Sequence, residues 1–165
     1  MRAAVEFKVA ARDNRYGFAS ARRLKTPAQY SALLCAAREQ SIRATRQMVS
    51  INAAWTAAGV GDGAASVRFG VTVGKRNARR SVDRALVKRI MREACRQRAS
   101  AFECCAQKAA ARIDIALRLR APLVDAQGKP LAMRSWRRQV RAEADTLLQD
   151  VLTQLAGRLS ATPVH

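Results

Sequence analysis

From Val67 the chain alternates strictly, with Val67, Phe69, Val71 and Val73 on one side and Arg68, Gly70, Thr72 and Gly74 on the other. After Arg80 the period lengthens, and Val82, Leu86, Ile90 and Ala94, with Val87 and Met91 beside them, recur at helical spacing. Period two buries one face of a strand, and period 3.6 buries one stripe of a helix. Residues 112–120 repeat the strand plan, Ile113, Ile115, Leu117 and Leu119 standing opposite Arg112, Asp114, Ala116, Arg118 and Arg120. Two strands with one greasy and one wettable face predict a sheet covered by helices on one side. The wettable face at 68–74 is small and polar, so a polymer backbone could approach it closely.

The remaining segments complete one domain. Thr26-Pro27-Ala28-Gln29 is a helix start, because Thr26 can accept from the N–H of Gln29, Gln29 can reach back, and Pro27 suits the first helical position. Tyr30, Leu33, Leu34 and Ala37 follow at helical spacing and predict a helix over 27–39. Residues 46–55 alternate loosely and predict a strand of unassigned facing. Residues 57–66 read as a loop, because the glycines at 59, 61 and 63 are followed by a strand and not by a phosphate-ready helix. A second loop, with Pro122, Gly128 and Pro130, covers 121–131. The last helix is predicted over 132–156, with Met133, Trp136, Val140, Ala144, Leu147, Val151 and Leu155 as its stripe and Gly157 as its C-cap. The expected organisation is a basic arm at 1–16, one domain at 17–158 and a tail at 159–165, with no repeats.

Among 165 residues, 31 are Lys or Arg and 12 are Asp or Glu, a net charge of +19. Hydrophobic residues reach 49%, too many for a disordered basic tail. So large a surplus repels itself inside a small fold. It points to a polyanionic partner, with nucleic acid favoured over membrane because aromatics are only 5%. No apolar run approaches a membrane span, and the first ten residues carry Arg2, Glu6 and Lys8 in place of a signal peptide's apolar segment, so a cytoplasmic protein is expected. Cys35, Cys95, Cys104 and Cys105 lack zinc-site spacing and read as buried reduced thiols.

Residues 68–98 hold eleven basic residues (Arg68, Lys75, Arg76, Arg79, Arg80, Arg84, Lys88, Arg89, Arg92, Arg96 and Arg98) against Asp83 and Glu93. On a helix, Arg84, Lys88, Arg92 and Arg96 form a ladder four apart, about 18 Å long at 1.5 Å per residue, with Arg89 beside it. Like charges at that spacing cost helix stability unless something binds them. The preceding 75–80 reads as a flexible basic turn. No catalytic set accompanies these residues, since the acids are scattered and the one histidine is His165. Any chemistry must come from another component.

The run Arg68-Phe69-Gly70-Val71-Thr72-Val73-Gly74-Lys75-Arg76, with Ser81-Val82-Asp83-Arg84-Ala85-Leu86-Val87-Lys88-Arg89-Ile90-Met91-Arg92-Glu93, resembles the protein subunit of bacterial ribonuclease P. That family pairs an R-x-G-(apolar)-x-V-x-K strand with an A-V-x-R-N-x-(I/V)-K-R-x-x-R helix. Arg68, Gly70, Val73, Lys75, Val82, Arg84, Val87, Lys88, Arg89 and Arg92 match it, while Ser81 and Ala85 replace its Ala and Asn. Phe18, Arg23-Leu24, Thr26-Pro27, Gln29 and Tyr30 look like the family's first helix and lead-in.

The resemblance implies a two-layer α/β (α+β) sandwich, with a four-stranded sheet and a left-handed βαβ crossover. It implies a subunit that binds the catalytic RNA of ribonuclease P and the 5′ leader of precursor tRNA, assisting leader removal. The chemistry and its Mg²⁺ belong to the RNA. No catalytic residue, cofactor or metal of this chain is implied, and no membrane or stable protein partner. The RNA-binding set would be Arg68, Lys75, Arg76, Arg79, Arg80, Arg84, Lys88, Arg89, Arg92 and Arg96. The leader cleft would be Tyr30, Leu34, Val49, Ile51, Thr72 and Gly74. Leu34 stands where many members have an aromatic, and Tyr30 suits either packing of the first helix or stacking on a base. The competing reading is a ribosomal-protein-like or RNA-chaperone module, which would share the charge but has no need of the strand–helix pairing.

Overall fold

The computed structural model describes residues 20–58 and 66–160. The expected arm at 1–16, Phe18, the glycine-rich loop at 59–63 and the last five residues lie outside them. Four strands, β1 (Ser41–Thr45), β2 (Val49–Ala57), β3 (Ser66–Val73) and β4 (Ala111–Leu119), form one sheet in the order β1-β2-β4-β3. The first two pairs are antiparallel, and β3 runs parallel to β4. The three long helices are α1 (Pro27–Cys35), α2 (Ser81–Lys108) and α3 (Met133–Ser160). The result is a single α+β domain with a mixed four-stranded sheet, and β3-α2-β4 is its parallel crossover unit.

The alternation decides the layers. Val67, Phe69 and Val73 of β3, Ile113, Ile115, Leu117 and Leu119 of β4, and Val49, Ile51 and Ala53 of β2 face α2 and α3, which bury Val87, Met91, Cys95, Phe102, Trp136, Val140, Leu148 and Val151 against them. Phe102 meets Phe69 edge-on, 5.9 Å between ring centres. Aromatic and branched side chains carry most of this core, each fully buried one contributing about 1.5–3 kcal/mol.

The second face is not left bare. Leu24 and Leu33 are buried there against Ala54 and Ala116, with Tyr30 and Ala36 partly buried around them, so α1 covers part of it. The Thr26–Gln29 capping box that starts α1 is present in both directions, Gln29 N–H donating to Thr26 Oγ1 (3.3 Å) and Thr26 N–H to Gln29 Oε1 (3.2 Å).

Several boundaries differ from the expectation. α1 stops at Cys35, before a short 3-10 turn at Arg38–Gln40, and β1 follows where no strand was expected. The β1–β2 turn is held from a distance: Glu143 of α3 accepts from the N–H groups of Met48 (2.7 Å) and Val49 (3.0 Å). Helix α3 runs through Gly157 to Ser160, so Gly157 is not its cap, and Leu159 packs on the core. Val82, expected on the apolar half of α2, is 60% exposed. The thiols are also mixed: Cys95 is buried, Cys105 is partly buried, and Cys35 and Cys104 are exposed. Burial raises the thiol pKa of Cys95 and, less completely enclosed, that of Cys105.

Candidate nucleic-acid interface

Between β3 and α2, the turn that carries Lys75, Arg76, Arg79 and Arg80 is tied down rather than flexible. The N–H groups of Asn77 and Ala78 donate to the Gly74 carbonyl, and Asn77 Nδ2 donates to the Leu119 carbonyl at the end of β4 (2.8 Å). Ala78 is buried. All four basic side chains of the turn are exposed on this pinned backbone. Holding cations in place beforehand lowers the ordering cost of gripping a phosphate chain.

The helical ladder is less uniform than its spacing suggests. An i, i+4 row turns by about 40° per step, so it cannot stay on one face of a long helix. Arg84 is half-buried, and its Nη1 donates to the carbonyls of Ala78 (3.1 Å) and Arg79 (2.6 Å), which braces the turn onto the helix. Arg96 forms a two-pronged pair with Glu93 (2.8 and 2.6 Å), and that hydrogen bond from the guanidinium lowers the Glu93 pKa. Between them Lys88 is half-buried while Arg89 and Arg92 are exposed, and no ion pair among the described residues engages these three. They are the part of the ladder available to an anion.

Arg68 sits elsewhere. It lies on the second face of the sheet, where its Nε and Nη2 donate to both carboxylate oxygens of Asp114 on the adjacent strand (2.8 and 2.7 Å). This two-pronged, mostly buried pair gives it a positioning task within the sheet.

The residues expected to line a leader cleft do not all fall on this face. Val49 and Ile51 are 0% and 1% exposed and point into the α2–α3 core, so they do not line it. A strand presents alternate residues to opposite faces, and the register places Ser50 and Asn52 on the open side. Ser50 pairs with Arg118, which pairs with Thr72, while Asn52 pairs with Ala116, which pairs with Gly70. The floor is therefore Ser50, Asn52, Arg118 and Thr72, beside α1. Gly74, exposed, continues this edge past the end of β3. Arg43 of β1 fastens the far end of α1, its Nη2 donating to the Leu34 carbonyl (2.5 Å), and Leu34 itself is 51% exposed.

Tyr30 lies over Gly70, where a Cβ would fall 2.5 Å from Tyr30 Oη and 2.8 Å from Cε1 and Cζ. The close approach expected of a polymer backbone at Gly70 is made by this ring. The loose alternation of 46–55 contained the signal for Ser50 and Asn52. Its facing was readable only once the strand had been paired.

Sequence reasoning also missed a basic group at the start of α3. Arg134, Arg137, Arg138 and Arg141 line a groove with Ile90 of α2. Their spacing along 134–141, with no acid among those residues, was the available signal.

Among the described residues no group of three or more His, Cys, Asp or Glu side chains is placed to hold a metal ion. Nor is any of their helices long and apolar enough to cross a membrane. The family model for ribonuclease P matches residues 18–138, which takes in α1, the whole sheet, α2 and the first turns of α3. No curated protein matches.

Proposed function

The chain belongs to the ribonuclease P family, and on that premise we propose that it is the protein subunit that binds the catalytic RNA and the 5′ leader of precursor tRNA. Family membership supports a part in tRNA processing and implies association with the ribonuclease P RNA and its tRNA substrate. The observation that carries the finer reading is the pairing of two distinct surfaces on one rigid unit. The pinned turn with Lys88, Arg89 and Arg92 offers cations at phosphate-like intervals. The second face offers a shallow polar floor walled by α1.

In this reading the protein performs no bond cleavage. Lys75, Arg76, Arg79 and Arg80, with the free part of the ladder, hold the RNA subunit through its phosphates, an interaction driven by counterion release. Arg84 and Arg96 position that surface from within. Arg118 meets the leader's backbone, Ser50, Asn52 and Thr72 supply hydrogen-bonding groups, and Tyr30 presents an edge of its ring where α1 meets the floor. The phosphodiester chemistry, with its Mg²⁺, would be supplied by the RNA subunit. The proposed site of action is the cytoplasm.

Reconstitution tests this. The chain, combined with a ribonuclease P RNA, is expected to cleave precursor tRNA at lower Mg²⁺ than the RNA alone, while the protein freed of RNA cleaves nothing. Arg118→Gln should weaken precursor binding in proportion to leader length and leave mature tRNA unaffected. Equal losses for long-leader and leaderless substrates would refute the assignment of this face.

A further inference from the structure

The ladder leaves one strongly charged surface unexplained. Arg134, Arg137 and Arg138 are exposed at the start of α3, and Arg141 stands half-buried beside them. Arg141 is engaged, donating to Asp145 (2.8 Å) and to Gln97 of α2 (2.7 Å). Among the described residues no ion pair engages the other three: Glu143 is occupied by the β1–β2 turn, Asp145 by Arg141, and Glu93 of α2, whose carboxylate feels Arg141, by Arg96.

Two physical costs attach to this arrangement. The first turn of α3 contains no acidic residue, and cations there oppose the partial positive charge of the helix N-terminus. Arg134 with Arg137 and Arg138, and Arg137 and Arg138 with Arg141, are like charges three and four apart, which repel along a helix. A solvated helix face ordinarily mixes signs to avoid both. Here the arginines also converge on a groove floored by Ile90, so one anionic chain could meet all of them. Their span is about 10 Å, roughly three phosphate steps along one strand of a duplex.

Position separates this groove from both surfaces already assigned. At about 100° per residue, Lys88 and Arg92 stand about 160° and 200° around α2 from Ile90, on its opposite flank. The leader face lies across the sheet from α2 and α3 altogether. We propose that the α2–α3 groove is a second phosphate-binding surface, built by Arg134, Arg137 and Arg138. It grips a backbone segment of the RNA subunit different from the segment on the Lys88–Arg92 flank. This rests on the ribonuclease P reading and deepens it: the protein would clamp its RNA from both sides of one helix.

The test measures affinity of the full chain for the ribonuclease P RNA against salt. Three proteins are compared: the wild type, a groove variant (Arg134→Gln, Arg137→Gln, Arg138→Gln) and a ladder variant (Lys88→Gln, Arg89→Gln, Arg92→Gln). Each phosphate contact contributes about 0.9 to the log–log slope in duplex-like contexts. The groove variant should lose about 2–3 from the slope, so about 40-fold of the wild-type loss between 50 and 200 mM salt should vanish. Combining both variants should add their effects, and Arg→Lys at the three groove positions should restore the slope.

All three arginines are exposed and their charges oppose one another and the helix N-terminus, so melting should be unchanged or slightly raised, and the Lys variant covers a Gln variant that melts early. An unchanged slope in the folded groove variant, beside a shifted one in the ladder variant, overturns the groove alone. A wild type that neither binds the RNA nor supports precursor cleavage overturns the underlying reading instead. Precursor tRNA without the RNA subunit forms the last arm, in which a leader-length-dependent loss would reassign the groove to substrate.

Discussion

Replacing Gly70 by Ala probes whether α1 is seated on the sheet by a missing side chain. Glycine in a strand ordinarily costs about 0.5–1 kcal/mol relative to alanine, so at an open position the change would stabilise. At Gly70 the new methyl would lie 2.5–2.8 Å from three atoms of the Tyr30 ring. That is far inside contact distance, so the ring must move off the strand. Moving it forfeits part of the burial of a half-exposed aromatic, together with a long contact from Tyr30 Oη to the Leu24 carbonyl (3.5 Å). Overpacking of this kind costs about 1–3 kcal/mol. Set against the gain in strand propensity, the net expectation is a loss of about 1–2 kcal/mol, or roughly 3–6 °C in melting temperature for a domain of this size.

The sign should depend on Tyr30. In a Tyr30→Ala background the obstacle is gone, and Gly70→Ala should become neutral or stabilising by up to about 1 kcal/mol. A double-mutant cycle by thermal and denaturant unfolding measures this directly, and the coupling between the two positions should be about 1–3 kcal/mol. A stabilising Gly70→Ala in the presence of Tyr30, or a coupling near zero, would refute the account of how α1 is held.

Two further outcomes follow from the same reasoning. Gly157 lies inside α3 with nothing within 4 Å of where a Cβ would stand, so Gly157→Ala should raise stability by about 0.5–1 kcal/mol in urea unfolding, whereas a true C-cap glycine would lose stability on the same change. In native protein at pH 8, iodoacetamide should modify the exposed Cys35 and Cys104 first, Cys105 more slowly and Cys95 only after unfolding, because burial holds the last two thiols protonated; peptide mass mapping over time reads the order.

What was legible in advance came from interactions a few residues long. Period two at 67–73 and 112–119 named β3 and β4 and both of their faces, because neighbouring side chains on a strand must point oppositely. Thr26 and Gln29 named the start of α1, because a capping box is closed within four residues. The clustering of cations at 75–92 named the basic surface, and its match to a family motif named the layered sheet. Tertiary structure decided the rest. β1 depends on pairing with β2, the facing of Val49 and Ile51 on pairing with β4, and the turn between β1 and β2 on a carboxylate from Glu143, about ninety-five residues away in sequence. Arg96 left the ladder for Glu93 three residues before it and Arg84 for carbonyls five and six residues before it, both within reach along the chain. Arg68, by contrast, is engaged because β4 brought Asp114 beside it. A charge's partner on another strand or helix is set by distance in space, and local periodicity carries no information about that distance.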